Sequence, residues 1–382
     1  MSELEKDQQK GTPESSVSRR KFLTGAAAAA GGAAALGFPM ISKAAAPITL
    51  KFQSTWPAKD IFHEYALDYA RRVNEMAGGR LKLDVLPAGA VVGALQMQDA
   101  VNTGVLDGGH GVCAYWYGKN KAFSLFGTAP AFGWEANEML GWFHYGGGRA
   151  LYDELVQNIL RLNVVGFLTG PMPCQPLGWF KKQIKSANDL KGLKYRTVGL
   201  AADVMKEFGA SVTIMGGGDI VPAMDRGVLD AAEFNNPSSD LVLGFPDVAK
   251  VYMLRSYHQA LESFEIIFNK KKYDSLPADL QSILKYATEA ASADMSWKAQ
   301  DRYPKDLAEI EKKGVKVYET PQSVLEAQLK AWDTVLTRLS ADPFFAKVIA
   351  SQKAWAKQVV DFRERNGAPT ELAYDHTFGK KG

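Results

Sequence analysis

Two charged side chains in this sequence stand where chemistry could occur, and a third side chain shares their setting. In DLKGLKYRTVG, residues 189–199, Arg196 ends a strand-like run among small and polar residues. A guanidinium there can hold a carboxylate through two parallel hydrogen bonds, which an ammonium cannot do in one plane. A surface salt bridge is the other reading of that position. In LDAAEFNNPSSD, residues 229–240, Glu233 leaves an apolar run and is followed by two amides, a proline and two serines. One carboxylate opening an oxygen-rich turn suits a hard cation, with Asn235 and Asn236 read as turn formers. His110 lies six residues after Gly104, as Glu233 lies six after Gly227; a structural hydrogen bond is the commoner fate of such a histidine.

The elements that must position these residues form a repeated pattern. QDAVNTGVLDGG (98–109) and VPAMDRGVLDAA (221–232) share GVLD, and each is preceded by a strand and a glycine-bearing loop. Both units read strand, loop, helix, glycine stop, strand, and the glycine allows the next strand to start at once. ITLKFQS and LKLDVLP read as strands around the helical IFHEYALDYARRVNEMAGG. Such alternation implies parallel sheets with helices on their faces, and ligands in such sheets sit beyond the carboxyl ends of the strands. The last third is helical: a long stretch is expected to break near Pro304, VKVYE is a short strand, and a further run carries an apolar stripe through Trp332 and Trp355.

Composition narrows the function classes. A chain of 382 residues, 46% hydrophobic, has material for two cores. A net charge of +3 gives no reason to expect a nucleic-acid partner. Residues 1–46 are of another kind: Ser18-Arg19-Arg20-Lys21-Phe22-Leu23, an alanine- and glycine-rich stretch, then ISKAAA. This is the pattern of a twin-arginine-type signal peptide, and without it the chain has 39 basic and 38 acidic side chains. Cys113 and Cys174 read as two buried thiols with no metal-thiolate spacing. G-x-S-x-G, H-E-x-x-H and a phosphate loop with its lysine are absent, and the GGG runs at 146–148 and 216–218 read as tight turns.

KGLKYR, the strand and GGG-D turn after it, and LDAAE with its following aromatic resemble the solute-binding proteins of tripartite ATP-independent periplasmic (TRAP) transporters. WFHYGGG, FGTAPAFG and CQPLGWF are similar to the branch binding 2-oxo and 2-hydroxy monocarboxylates with a metal ion. The resemblance implies an α/β, two-lobed periplasmic-binding-protein-like fold with strands crossing between lobes and a long bracing helix. Lobe I would take residues 47–169 and lobe II 170–245, with 246–300 returning to lobe I and supplying the brace. Residues 301–382 would complete lobe II and offer a contact for a homodimer.

Carried over by residue, the resemblance implies that Arg196 clamps the substrate carboxylate. Gln175 would touch metal and ligand, Glu233 would ligate the metal, and Phe234, where relatives often have tryptophan, would offer its backbone carbonyl. Tyr115 and Tyr117 would lie near the ligand, and Glu262 or Gln259 would be a further metal ligand. Oxygen donors of this kind suit Ca²⁺ or Na⁺. An acid the size of lactate is limited to about −9 kcal/mol by its atom count, so nearly every atom must be engaged; a cation chelated by carboxylate and 2-oxygen does that. The implied protein is a periplasmic receptor delivering lactate or pyruvate to membrane permease subunits. Two alternatives are a metal-dependent lyase or hydratase, which lacks a candidate acid/base pair, and a receptor for a larger or dicarboxylic acid, which would call for a second cation near the cleft.

Overall fold

The computed structural model describes residues 46–379, so the leader lies, but for Ala46, outside the described residues. Pro47–Gly382 is a single compact unit built on two sheets. One has the order β2-β1-β3-β10-β4, from β1 (Ile48–Ser54), β2 (Leu81–Leu86), β3 (Gly108–Gly111), β4 (Val164–Met172) and β10 (Glu262–Asn269). The other has the order β11-β9-β5-β8-β6-β7, from β5 (Gly178–Phe180), β6 (Lys194–Arg196), β7 (Ser211–Thr213), β8 (Ala231–Ala232), β9 (Val251–Leu254) and β11 (Lys316–Glu319).

The GVLD repeat is a repeat of hydrogen bonds. Gly104 (φ 82) and Gly227 (φ 71) are both left-handed, which glycine adopts without a Cβ penalty. Three residues on, Asp107 N–H donates to Lys51 O at 2.9 Å and its Oδ2 accepts from Lys51 N at 2.8 Å. Asp230 makes the same pair with Lys194, at 2.8 and 3.0 Å. Each aspartate thereby fixes the register of its strand on the strand before it: β3 pairs parallel to β1 with Gln53 opposite Gly109, and β8 parallel to β6 with Arg196 opposite Ala232. Gln53 and Arg196 are therefore equivalent positions. Each side chain also ties down the loop ahead of its unit's helix: Gln53 Nε2 donates to Val92 O at 2.9 Å, and Arg196 Nε and Nη2 donate to Met215 O at 3.1 and 2.8 Å.

The sheets are mixed where the alternation of elements implied parallel ones. β10 runs antiparallel to β3 and β4, and β5 antiparallel to β8 and β9. The chain leaves the first sheet through 173–177 and returns through 255–261, and a strand that follows a crossing enters its sheet in the opposite sense to its neighbours. Both crossings lead directly to site residues, Gln175 on the first and Gln259 on the second.

The helix Ala278–Lys312 runs through Pro304 without the expected break. Its length lets it pack on β4 and on helix Ile61–Met76 at one end and on helix Pro237–Leu243 at the other, so tertiary contacts on both sides offset the lost backbone bond. Beyond it, Gln322–Leu339 packs near the second sheet. Pro343–Asn366 lies against helix Ala136–Tyr145, where Trp355 Nε1 donates to Glu138 O at 2.9 Å. Cys113 is buried and Cys174 exposed, both as free thiols, so only one of the two expected buried thiols is buried.

Candidate functional site

Strand ends deliver Arg196 and Glu233 to one point. Arg196 is the last residue of β6, and Glu233 directly follows β8, its parallel neighbour. Arg196 Nη1 donates to the carbonyl oxygen and to Oε1 of Glu233, both at 2.9 Å, with the two side chains 1% and 0% exposed. With the bonds to Met215, this leaves one Nη2 hydrogen outside the network. Burial pushes the Glu233 carboxyl up to about 7, with the guanidinium opposing the rise. The Phe234 ring lies 5.7 Å below the Arg196 guanidinium and 5.8 Å from Phe62.

A second group of buried amides meets this pair. Gln259 Nε2 donates to Thr197 Oγ1 at 3.1 Å and to Glu233 Oε1 at 3.3 Å. Its backbone carbonyl oxygen accepts from Gln175 N at 3.1 Å. Gln175 Nε2 in turn donates to Glu262 Oε2 at 2.5 Å, an oxygen that also accepts from Asn235 Nδ2 at 3.1 Å, while Glu262 Oε1 accepts from Thr128 Oγ1 at 3.1 Å. Both Glu262 oxygens are thus taken by protein donors, and burial pushes its carboxyl up to about 8 with Glu233 adding to the rise.

Of the remaining expected residues, the structure brings some to this cluster and turns others away. Tyr115 is buried 5.7 Å from Trp56, within the fields of Arg196, Glu262 and Glu233. Tyr117 faces elsewhere, its hydroxyl donating to Asp203 and its ring under Lys121. His110 Nδ1 accepts from Trp56 Nε1 at 2.8 Å, and burial lowers its pKa to about 3, the properties of a neutral structural histidine. Asn236 caps helix Pro237–Leu243 by accepting from Ser239 N at 3.0 Å. Asn235 is more than a turn former, because it holds Glu262. Gly147, φ 88, gives the first GGG its tight turn. The second GGG answers to close packing instead: a Cβ on Gly217 would stand 2.4 Å from Phe234 Cε2.

Three oxygens in this contiguous network are buried without a donor: Gln175 Oε1, Glu233 Oε2 and Gln259 Oε1. A buried acceptor left in that state costs about 1–3 kcal/mol. One carboxylate and two amide oxygens are the donors a hard cation takes, so these residues fit Ca²⁺ or Na⁺. Among the described residues no group of three or more His, Cys, Asp and Glu is placed to hold a metal. Thr128 and Asn235 carry no chemical signature in sequence; Thr128 sits inside the quoted FGTAPAFG, and only the fold shows what it touches.

Residues 52–342 match the family described as bacterial extracellular solute-binding protein, family 7. The chain belongs to this family. It is an extracytoplasmic TRAP solute receptor, of a family of binding proteins rather than enzymes. No helix among the described residues is long and apolar enough to cross a membrane. The monocarboxylate 2-oxoacid-binding periplasmic protein of Nostoc sp. is 33% identical over 327 residues, 85% of this chain and 88% of its own. The TRAP solute-binding protein of Colwellia psychrerythraea, solved with calcium and pyruvate, superposes with a TM-score of 0.79 at 34% identity, covering 87% of this chain and 100% of the other. That of Pseudoalteromonas atlantica, solved with sodium and pyruvate, gives 0.79 at 33%, covering 87% and 99%.

Proposed function

We propose that this family 7 receptor captures a short 2-oxo or 2-hydroxy monocarboxylate, pyruvate or lactate first, together with Ca²⁺ or Na⁺, and passes it unchanged to membrane permease subunits. The observation that carries this reading is the set of donor-less oxygens on Gln175 and Glu233 beside the Arg196 guanidinium. Glu233, Gln175 and the Phe234 carbonyl would hold the cation. When bound, the cation supplies a charge that the ligand's carboxylate and 2-oxygen can chelate together.

Arg196 is then freed for its second task. Its Nη1 donates to Glu233 Oε1; were that carboxylate committed to a cation, Nη1 and the spare Nη2 hydrogen would form the planar fork a ligand carboxylate needs. Tyr115 and the Phe234 ring line the same place, whereas Tyr117 acts through Asp203 and supports the wall. The two sheets serve as lobes, and closure is a population shift, because Arg196 and the cation are fully engaged only when both lobes meet the ligand. Exposed Phe362, Leu372 and Phe378 near the C-terminus support a homodimer contact there.

A receptor returns its ligand intact. Incubation with pyruvate or lactate plus Ca²⁺, followed by NMR, is expected to show line broadening and no product; turnover would replace the receptor with a lyase or hydratase. A panel of short, branched and dicarboxylic acids read by Trp fluorescence is expected to favour the short monocarboxylates, and stronger binding of a dicarboxylate would contradict that choice.

A further inference from the structure

We infer that Glu262 is a positioning residue that fixes the orientation of the Gln175 amide, and is not itself a ligand of the cation. The inference rests on the site proposed above. Glu262 sits at the start of β10 in the first sheet, opposite Met172 at the end of β4. Its Oε1 is anchored there by Thr128 Oγ1, while its Oε2 gathers two amide NH₂ groups, from Gln175 on the crossing segment and from Asn235 just after β8 of the second sheet.

An amide has one acceptor end and one donor end. With Nε2 held on Glu262, Gln175 Oε1 must point the other way, and it is the end found buried without a donor. Turned by 180°, the same side chain would present N–H groups to a cation and repel it. Gln175 is 1% and Glu262 4% exposed, so water does not substitute for the carboxylate as acceptor. A carboxylate whose two oxygens already accept from a hydroxyl and two amides is committed to protein donors, yet it decides whether Gln175 belongs to the ligand set; such outer partners of metal donors are commonly worth 10–100-fold in metal affinity. Because Glu262 also holds Asn235, the same carboxylate ties the second sheet to the donor it orients.

The test is a thermodynamic cycle. Ca²⁺ is titrated calorimetrically into EDTA-stripped full chain held in excess pyruvate, for the parent, Gln175→Ala, Glu262→Met, Glu262→Gln, Glu233→Gln as the ligand-loss reference, and the double variant Gln175→Ala with Glu262→Met. Gln175→Ala and Glu262→Met are each expected to weaken Ca²⁺ about 10–100-fold, and the double variant to be no more than about twofold weaker than Gln175→Ala, since residues acting through one group do not add. Glu262→Gln, which keeps an oxygen toward Gln175 and Asn235 and offers its NH₂ to Thr128, is expected to recover most of what Glu262→Met loses. Tb³⁺ luminescence lifetimes in H₂O and D₂O are expected to show one additional bound water in Glu262→Met and in Gln175→Ala alike. Multiplying losses in the double variant, or a loss in Glu262→Gln as large as in Glu233→Gln, would make Glu262 a ligand and overturn the inference even if Glu262→Met does not fold. Unchanged Ca²⁺ affinity in Gln175→Ala would instead remove the proposed cation site beneath it.

Discussion

Arg196 Nη1 lies 2.9 Å from both the carbonyl oxygen and Oε1 of Glu233, inside a pair that excludes solvent from both side chains. Attraction in such a place is balanced against desolvation, so the pair is weak evidence for stability as a whole, but removing one member exposes the full cost of the other. Glu233→Ala is expected to lower the unfolding free energy of the ligand-free protein by about 3–5 kcal/mol and to abolish pyruvate binding. Urea denaturation and calorimetry check the two effects separately. A variant of parental stability would mean that the guanidinium is satisfied by the backbone carbonyls of Met215 and residue 233.

Asn236 supplies the contrast three residues away. Its side chain caps helix Pro237–Leu243 and hydrogen-bonds Asn235 and Ser239. Asn236→Ala should cost about 1 kcal/mol of stability, the usual loss of an N-cap, and should weaken pyruvate binding far less than Glu233→Ala does, because Asn236 reaches the site only indirectly, through Asn235 and Glu262. A loss of binding comparable to that of Glu233→Ala would return Asn236 to the ligand set.

Gly217 tests whether the ring beneath Arg196 matters. A methyl there would stand 2.4 Å from Phe234 Cε2, whereas one on the exposed Gly118 would meet nothing within 4 Å. Gly217→Ala is expected to destabilise by about 1–3 kcal/mol through overpacking and to weaken pyruvate binding by displacing the ring. Gly118→Ala should stay within about 0.5 kcal/mol. Paired thermal melts and titrations compare them.

Asp60 gives a pH dependence. Burial pushes its carboxyl up to about 7, with Ser239 Oγ and Phe62 N–H donating to Oδ1 and opposing the rise. The folded chain therefore keeps a proton that the unfolded chain releases near pH 4. The stabilisation from this group is fully present below about pH 4 and is lost as pH rises through about 7. Melts of EDTA-treated protein between pH 5 and 8 should show a downward contribution that Asp60→Asn, a mimic of the neutral form, removes. Equal slopes for parent and variant would contradict it.

The repeat was legible in sequence because its signal is local. Gly104 and Gly227 are left-handed caps, and the aspartate three residues on bonds backbone to the strand before it, so GVLD carries its own structural reason. From that register followed Glu233 at a strand end, in step with His110; its place beside Arg196 is shown only by the pairing of β6 with β8. The direction of the strands was not legible, since β5 and β10 acquire theirs from chain crossings between the two sheets, which leave no mark in periodicity. Nor was the division of labour among polar residues. Glu262 and Gln259 lie three apart on one short stretch, yet Gln259 keeps an oxygen without a donor while both Glu262 oxygens are engaged, by Thr128, Gln175 and Asn235. Tyr115 and Tyr117 are two apart, and one enters the cluster while the other turns to Asp203. Residue type states what a group can bond; only the fold states what has already bonded it.

The most direct measurement is a calorimetric titration of pyruvate into EDTA-stripped receptor in a sodium-free buffer, repeated with Ca²⁺ or with Na⁺ restored. Binding should be absent or at least about 100-fold weaker without a cation, the loss expected when a buried charged partner worth about 3 kcal/mol is removed, and should return with either ion. Equal pyruvate affinity in the stripped and restored protein would contradict capture of the acid together with a cation held by Gln175 and Glu233.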